Sequence, residues 1–461
     1  MAWLAITGLT LIVGTVFAYQ VSRDVLHPAM FLGPLFLYGV VIDPWLVRSS
    51  VSEFLPNQED VQFVLELHLA AVAALMLGLL ARPPVAFRRA RRRAKSRGTF
   101  GPANLVQVAW AVTAWALVSY AIGIANAGGL VAAYSQSKGG GYSSSGYLSE
   151  SMNLGLVGAA MVTLARYRRG FTAGTLAVFA LGLLPNLLQG TLGGRRGPLF
   201  MSLSAAVVGW LLTRVRTPRL WKIWPAMGTI ALAVAFVASQ RQFLYLGSQQ
   251  SVDWQAFVSS IGQQDLDQGN NFIYGSGFVT AVRRTGEYTW GRELAVNLVV
   301  RPIPRQLWPT KYEDAGATWV TSNYPGLGHL TQGDWLSTVG WLPLPGSSAI
   351  SVSDLYGEFG WGAVAVFYVI GRGFAFVYWR RRTRSGIWQL LHLEALVLTV
   401  YLATQSFSAF YHRVLILAVP TVIVWRYMFE ERIALSRLRV HRLRVPHHRD
   451  PLYGRPLRGS E

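Results

Sequence analysis

The sequence predicts an all-α polytopic membrane protein with about eleven transmembrane helices and one large outer loop. Three observations carry that prediction. Of 461 residues, 52% are hydrophobic and only 14% charged, with 17 Trp and a mean hydropathy of +0.32, too apolar a mixture for a soluble chain of this size. Apolar runs long enough to cross ~30 Å of hydrocarbon recur along the chain. The basic residues that give a net charge of +20 punctuate those runs, which is how membrane topology is written and argues against nucleic acid as a partner.

The spans fall near residues 2–19, 29–47, 62–81, 104–126, 150–166, 172–190, 198–213, 223–240, 358–378, 387–405 and 409–426. The opening "MAWLAITGLTLIVGTVFAYQ" lacks a basic flank and is long enough to span, so it reads as the first helix. "ARPPVAFRRARRRAKSRG" holds eight Lys/Arg and fixes residues 82–103 as cytoplasmic. Alternation from there assigns 29 cationic residues to cytoplasmic segments and five (Arg48, Lys138, Arg195, Arg196, Arg413) to short outer loops. The amino terminus then faces out and the carboxy terminus in. The chain divides into helices 1–8 (1–240), an outer loop (241–357), helices 9–11 (358–427) and a basic cytoplasmic tail (428–461), whose first half reads as an amphipathic helix facing anionic lipid. In the outer loop "RELAVNLVVRPI" reads as a short interfacial helix ended by proline.

The absence of Cys excludes a catalytic thiol, a disulfide and a thiolate metal site, and no HExxH or tight His/carboxylate cluster outside the membrane points to a metal. No cofactor is expected. No serine stands in the strand-to-helix context of a nucleophile elbow.

Three stretches carry candidate chemistry. "TLGGRRGPLF" (191–200) opens the seventh span, with Pro198 suited to a first helical position. Free amides, the helix dipole and the guanidinium groups of Arg195 and Arg196 suit an anion; a glycine turn with two headgroup-binding arginines is the other reading. The outer loop holds Arg241, Arg283, Arg284, Arg292, Arg301, Arg305 and Lys311 on the side where positive charge is normally scarce. Its densest part, "RPIPRQLWPTK", is stiffened by three prolines that would hold Arg301 and Arg305 in fixed directions. Trp308 beside them could stack on a sugar or anchor in the headgroup layer. "SAISVSDLYGEFGWG" (348–362) places Asp354 and Glu358 on one helix face, either as a general base or as complements to a helix dipole. His412, with Arg413 beside it, and His329 are further base candidates, and Glu66, His68, His392 and Glu394 are titratable groups within spans.

In that order, "GRRGPL", "EYTWGRELAVNLVVRPIPRQLWPTK" and "SSAISVSDLYGEFGWGAVAVFYVIGRG" resemble the bacterial oligosaccharide repeat-unit polymerases, the O-antigen polymerase-like (Wzy-type) proteins. The resemblance covers about residues 190–375, with "IPRxLWPxK" its most specific element. The chain departs from the family pattern at Asp354, where members usually carry Glu, and at Tyr312, where Pro often follows the Lys. It implies a multi-pass protein of the bacterial plasma membrane with a metal-independent membrane glycosyltransferase (GT-C-like) architecture. The implied reaction joins undecaprenyl-pyrophosphate-linked oligosaccharides on the outer face, with inversion, alongside flippase and chain-length regulator proteins. Under that reading Arg195, Arg196, Arg301, Arg305, Lys311 and Arg413 hold pyrophosphate, Trp308 and Tyr356 hold sugar rings, and Asp354, Glu358 or His412 activates the acceptor. An O-antigen ligase-type transferase and a lipid-linked oligosaccharide flippase are the alternatives.

Overall fold

The computed structural model describes residues 2–55, 57–81, 102–135, 150–214, 270–301, 303, 307–322, 324, 326–343, 347, 349–383 and 386–426. Among the described residues every regular element is helical. In chain order the main helices are α1 (Ala2–Ser22), α2 (Ala29–Leu46), α3 (Gln58–Leu80), α4 (Pro102–Asn126), α5 (Ser151–Ala165), α6 (Ala173–Thr191), α7 (Arg196–Thr213), α8 (Asn271–Thr285), α9 (Gln332–Val339), α10 (Ser351–Phe359), α11 (Gly362–Thr383), α12 (Ile387–Thr404) and α13 (Phe407–Trp425). Eight are long and apolar enough to cross a membrane: α1, α2, α3, α4, α6, α11, α12 and α13. α5 and α7 are apolar but shorter. The expected span at 223–240 and the basic tail lie outside the described residues.

Close packing between helices, rather than a hydrophobic drive from water, must hold such a bundle together. Two crossings show how. α3 meets α11 at Gly78 and Gly371, where a Cβ on either would come within 2.4 Å of a backbone oxygen of the other helix. α5 meets α6 at Gly155 and Gly182 in the same way, with added Cβ atoms at 2.3 and 2.5 Å from the facing carbonyls. Only glycine permits these approaches.

The bundle has two chemically distinct ends. At one, Arg381 pairs with Asp24 at 2.5 Å, Arg372 donates to the Ala81 carbonyl and Arg168 N–H donates to Leu212. At the other, Asn270 donates to Asp43, Arg284 pairs with Asp60 at 2.5 Å, Trp341 donates to the Phe54 carbonyl and Ser351 to that of Gln405. The described residues of 286–360 gather at this second end. Helix α8 is among the best-buried elements there, capped by Asn270 accepting from the Phe272 and Ile273 amides and ended by left-handed Gly286.

Two boundaries differ from the sequence reading. α7 starts at Arg196 with Arg195 as its N-cap, so Pro198 sits in the third rather than the first helical position. The ninth span was expected to start at Glu358, but Glu358 belongs to α10. Gly360, at φ 56° and ψ −133°, turns the chain before α11 begins at Gly362. That backbone is one only glycine adopts freely, and the turn lays α10 against α8 and α13 instead of continuing into the membrane.

Candidate functional site

The first two turns of α13 lie between a group of acids and a group of bases. On the acidic side are Asp354 and Glu358 of α10, one turn apart as their spacing predicted, and Glu293 from the turn Arg292–Ala295.

Asp354 caps α13, its Oδ2 accepting from the Ser408 N–H at 3.2 Å with the Phe407 amide adding to it. The expected dipole role is thus present, but toward a different helix from its own. Burial raises Asp354 to about 6, aided by the Glu358 charge and opposed by those two amides.

Glu358 is 3% exposed and saturated. Its Oε2 accepts from Thr289 Oγ1 at 2.6 Å and the Gly291 N–H at 2.8 Å, and its Oε1 from the Leu294 N–H at 2.9 Å. It therefore anchors the turn that carries Glu293. Backbone bonds from Thr289 to Gly357 and from Trp290 to Glu358 reinforce the join.

Glu293 itself was not singled out from the sequence. It is half-buried beside Gly328 and Phe278, and its carboxyl has no hydrogen-bond partner among the described residues, while its backbone carbonyl accepts from the Val296 N–H. Burial, then the charges of Asp354 and Glu358, push its carboxyl up to about 8. Tyr274 faces both Asp354 and Glu293 and donates its hydroxyl proton to the Gly326 carbonyl. His329, near Glu358, bonds the Glu287 carbonyl through Nε2 at 2.8 Å.

On the basic side, Arg413 lies 4.0 Å over the Tyr401 ring and donates to the Ala409 carbonyl. Tyr401 also packs against Gly197 in the first turn of α7, where a Cβ would stand 2.6 Å from its hydroxyl. Glu150 and the N-cap Arg195 are its other charged neighbours. His412, 8% exposed, has Glu150, Arg301 and Arg413 as charged neighbours. Arg195, Arg301 and Arg413, from three distant parts of the sequence, thus gather around His412 and Tyr401 at the start of α7. The Tyr411 hydroxyl donates to the Leu294 carbonyl at 2.6 Å, tying this side to the Glu293 turn.

The remaining expected residues have other engagements. Lys311 is 3% exposed, and its ammonium donates to the carbonyls of Val300 and Arg301 at 3.1 Å and of Ile303 at 2.5 Å. All three of its protons are used in closing the turn after Val300, leaving none for a phosphate. Trp308 donates from Nε1 to Asp314 at 2.5 Å. Tyr356 is 2% exposed, its ring met edge-on by Phe63 and Tyr288 and its hydroxyl 3.1 Å from that of Tyr288, so it packs the loop instead of presenting a face to a sugar. Trp290, 72% exposed next to Glu293, and Trp361 are the open aromatic faces here. Arg283 and Arg284 share Asp60, and Arg292 donates to the Ala315 and Gly316 carbonyls while stacking on Trp319. Arg305, Arg241 and the side chain of Arg196 lie outside the described residues.

Comparison with protein-family models, with curated proteins and with solved structures finds no match. The site rests on its own chemistry. Among the described residues no group of three or more His, Asp or Glu is disposed to hold a metal ion. What this end of the bundle brings together is Arg195, Arg301 and Arg413 with Glu150 near a helix start, a carboxyl with a raised pKa, and exposed tryptophans.

Proposed function

We propose that the protein is a membrane glycosyltransferase that polymerises lipid-linked oligosaccharide repeat units, using the end of the bundle where α7 and α13 begin. The observation that carries the reading is that the α13 start has Glu293 on one side and Arg195, Arg301 and Arg413 on the other. In the transfer, an acceptor hydroxyl attacks the anomeric carbon of a glycan on undecaprenyl pyrophosphate. The new C–O bond forms as the bond to pyrophosphate breaks. Glu293 takes the hydroxyl proton. The departing pyrophosphate keeps the electron pair, and the three arginines and the amides at the start of α7 stabilise its charge. Asp354 and Glu358, already bound to amides, position the two helices and leave the base role to Glu293. The resemblance of residues 190–375 to the repeat-unit polymerases supports the same reading, as does the positive-inside count, which favours an outward orientation for this end.

A gene deletion complemented with Arg413→Gln tests it. The deletion should leave single lipid-linked units on the outer face, and the variant, at normal membrane levels, should fail to restore long chains. Units trapped inside would assign the protein to transport, and normal chain length with Arg413→Gln would remove the basic cluster from the reaction.

A further inference from the structure

At the opposite end of the bundle a cavity of about 370 Å³ opens between α5, α7, α11 and α12. Its floor is apolar, built from Ala160, Leu164, Val208, Leu212 and Leu393, and its rim is polar, built from Arg381, Arg382, Gln389 and His392. A cavity of this size and mixed lining suits a small ligand with a charged head and an apolar body. Only part of the rim is used by the fold. Arg381 Nη2 pairs with Asp24 at 2.5 Å, whereas its Nη1 is buried with no acceptor among the described residues. His392 Nε2–H donates to the Leu26 carbonyl at 2.9 Å, which leaves its buried Nδ1 as an acceptor without a partner among the described residues, suited to a hydroxyl such as glycerol's and not to the phosphate. Arg382 donates from Nη1 to the Ser22 carbonyl at 3.3 Å and the Tyr378 hydroxyl at 3.0 Å, leaving its other nitrogens for a ligand. A buried, charged donor left without an acceptor is costly, so the Arg381 side of the rim is unsatisfied among the described residues.

The charge count names the missing partner. Asp24 cancels one of the two guanidinium charges, and His27 beside them is neutral because burial lowers it to about 4. Among the described residues that line the cavity, one positive charge remains, over an apolar floor. We infer that this cavity binds a phosphate-bearing anion whose natural form is a monoanionic phospholipid, with the phosphodiester on Arg381 and Arg382 and an acyl chain or glycerol on the leucine floor. Free pyrophosphate shares the head chemistry but makes no use of the floor. The site is separate from the proposed reaction centre and does not depend on it.

Native mass spectrometry of the purified full chain, titrated with phosphatidylglycerol, phosphatidylcholine or inorganic pyrophosphate, tests the assignment. Phosphatidylglycerol should be retained as a bound adduct in preference to phosphatidylcholine. Arg382→Gln should weaken it about tenfold, the effect of losing one charged hydrogen bond. Leu164→Trp, which fills the cavity and leaves every charge in place, should abolish it, so the conclusion does not hang on one variant's folding. Displacement of the lipid by pyrophosphate would support the anion site and identify the free anion as its occupant. Equal retention of phosphatidylcholine, or phosphatidylglycerol binding untouched by both substitutions, overturns it.

Discussion

Glu293→Gln separates chemistry from architecture at this site. The substitution keeps the shape of the side chain and breaks no side-chain hydrogen bond, because the Glu293 carboxyl makes none among the described residues. A carboxyl pushed up to about 8 is roughly one-tenth ionised at pH 7 and half ionised at pH 8. If it is the base, turnover in a reconstituted assay should rise with pH and level off above about 8, following that fraction. Losing a general base costs typically 10²–10⁴ in rate, so Glu293→Gln should lower turnover by that factor and flatten the rise. Stability should move the other way. The folded pKa lies above the unfolded value of 4.5, so the folded state holds the proton more tightly. Ionisation therefore opposes folding, and stability falls as pH rises from about 4.5 to about 8, by an amount on the order of a few kcal/mol. Glutamine cannot ionise, so the variant should equal the parent at low pH and exceed it above pH 8 in thermal unfolding. Turnover within threefold of the parent and an unchanged pH profile would refute the base assignment, and a variant less stable than the parent at pH 8 would refute the burial argument behind it.

Two further substitutions probe residues the fold has already committed. Glu358→Ala removes three hydrogen bonds to a carboxylate and orphans two amides; at about 1.5–3 kcal/mol for each charged bond, and with the losses not additive, it should cost about 3–5 kcal/mol. Hydrogen exchange at Gly291 and Leu294 should then accelerate by about two orders of magnitude or more, and unchanged protection would show that the turn is held by something else. Lys311→Met should lower thermal stability by about 2–4 kcal/mol, since it leaves three carbonyls without a donor, and Lys311→Arg should not rescue it because a planar fork cannot meet three converging oxygens. A variant of normal stability that had lost only pyrophosphate affinity would return Lys311 to the anion site.

How much of this was legible in the sequence follows from how local each signal is. The long spans are written in contiguous apolar runs, and all eight apolar helices coincide with runs read from the chain. The shared face of Asp354 and Glu358 is a four-residue spacing and was equally plain. What each acid binds was not, because Ser408, Gly291 and Leu294 come from other helices. Lys311 looked like part of a basic run, yet the carbonyls that consume it belong to a turn whose shape is set by the packing of Val296 and Val300. Glu293 went unnoticed inside "RELAVNLVV", where an acid in the first turn of a short helix reads as a dipole complement. One signal could have raised it: an acid within the stretch of strongest family resemblance, next to Trp290 and beside an otherwise basic loop.

The two arms of the site also differ in how they are held, and that difference bears on mechanism. Arg195 and Arg413 come together around Tyr401, helped by the close approach at Gly197, and Arg301 joins Arg413 beside His412. Glu293 hangs from a turn whose fixed points are the Glu358 carboxylate and the Tyr411 hydroxyl. A change at α13 that moved Tyr411 would shift both arms together, because the same two turns carry Arg413. Under the proposed function, the register between the arginines that would receive pyrophosphate and the carboxyl that would take the proton is therefore set by one short stretch of helix, residues 407–413. In the proposed reaction, where leaving group and acceptor would both arrive on long, mobile lipids, a fixed register between the groups that receive them is what the protein itself would contribute.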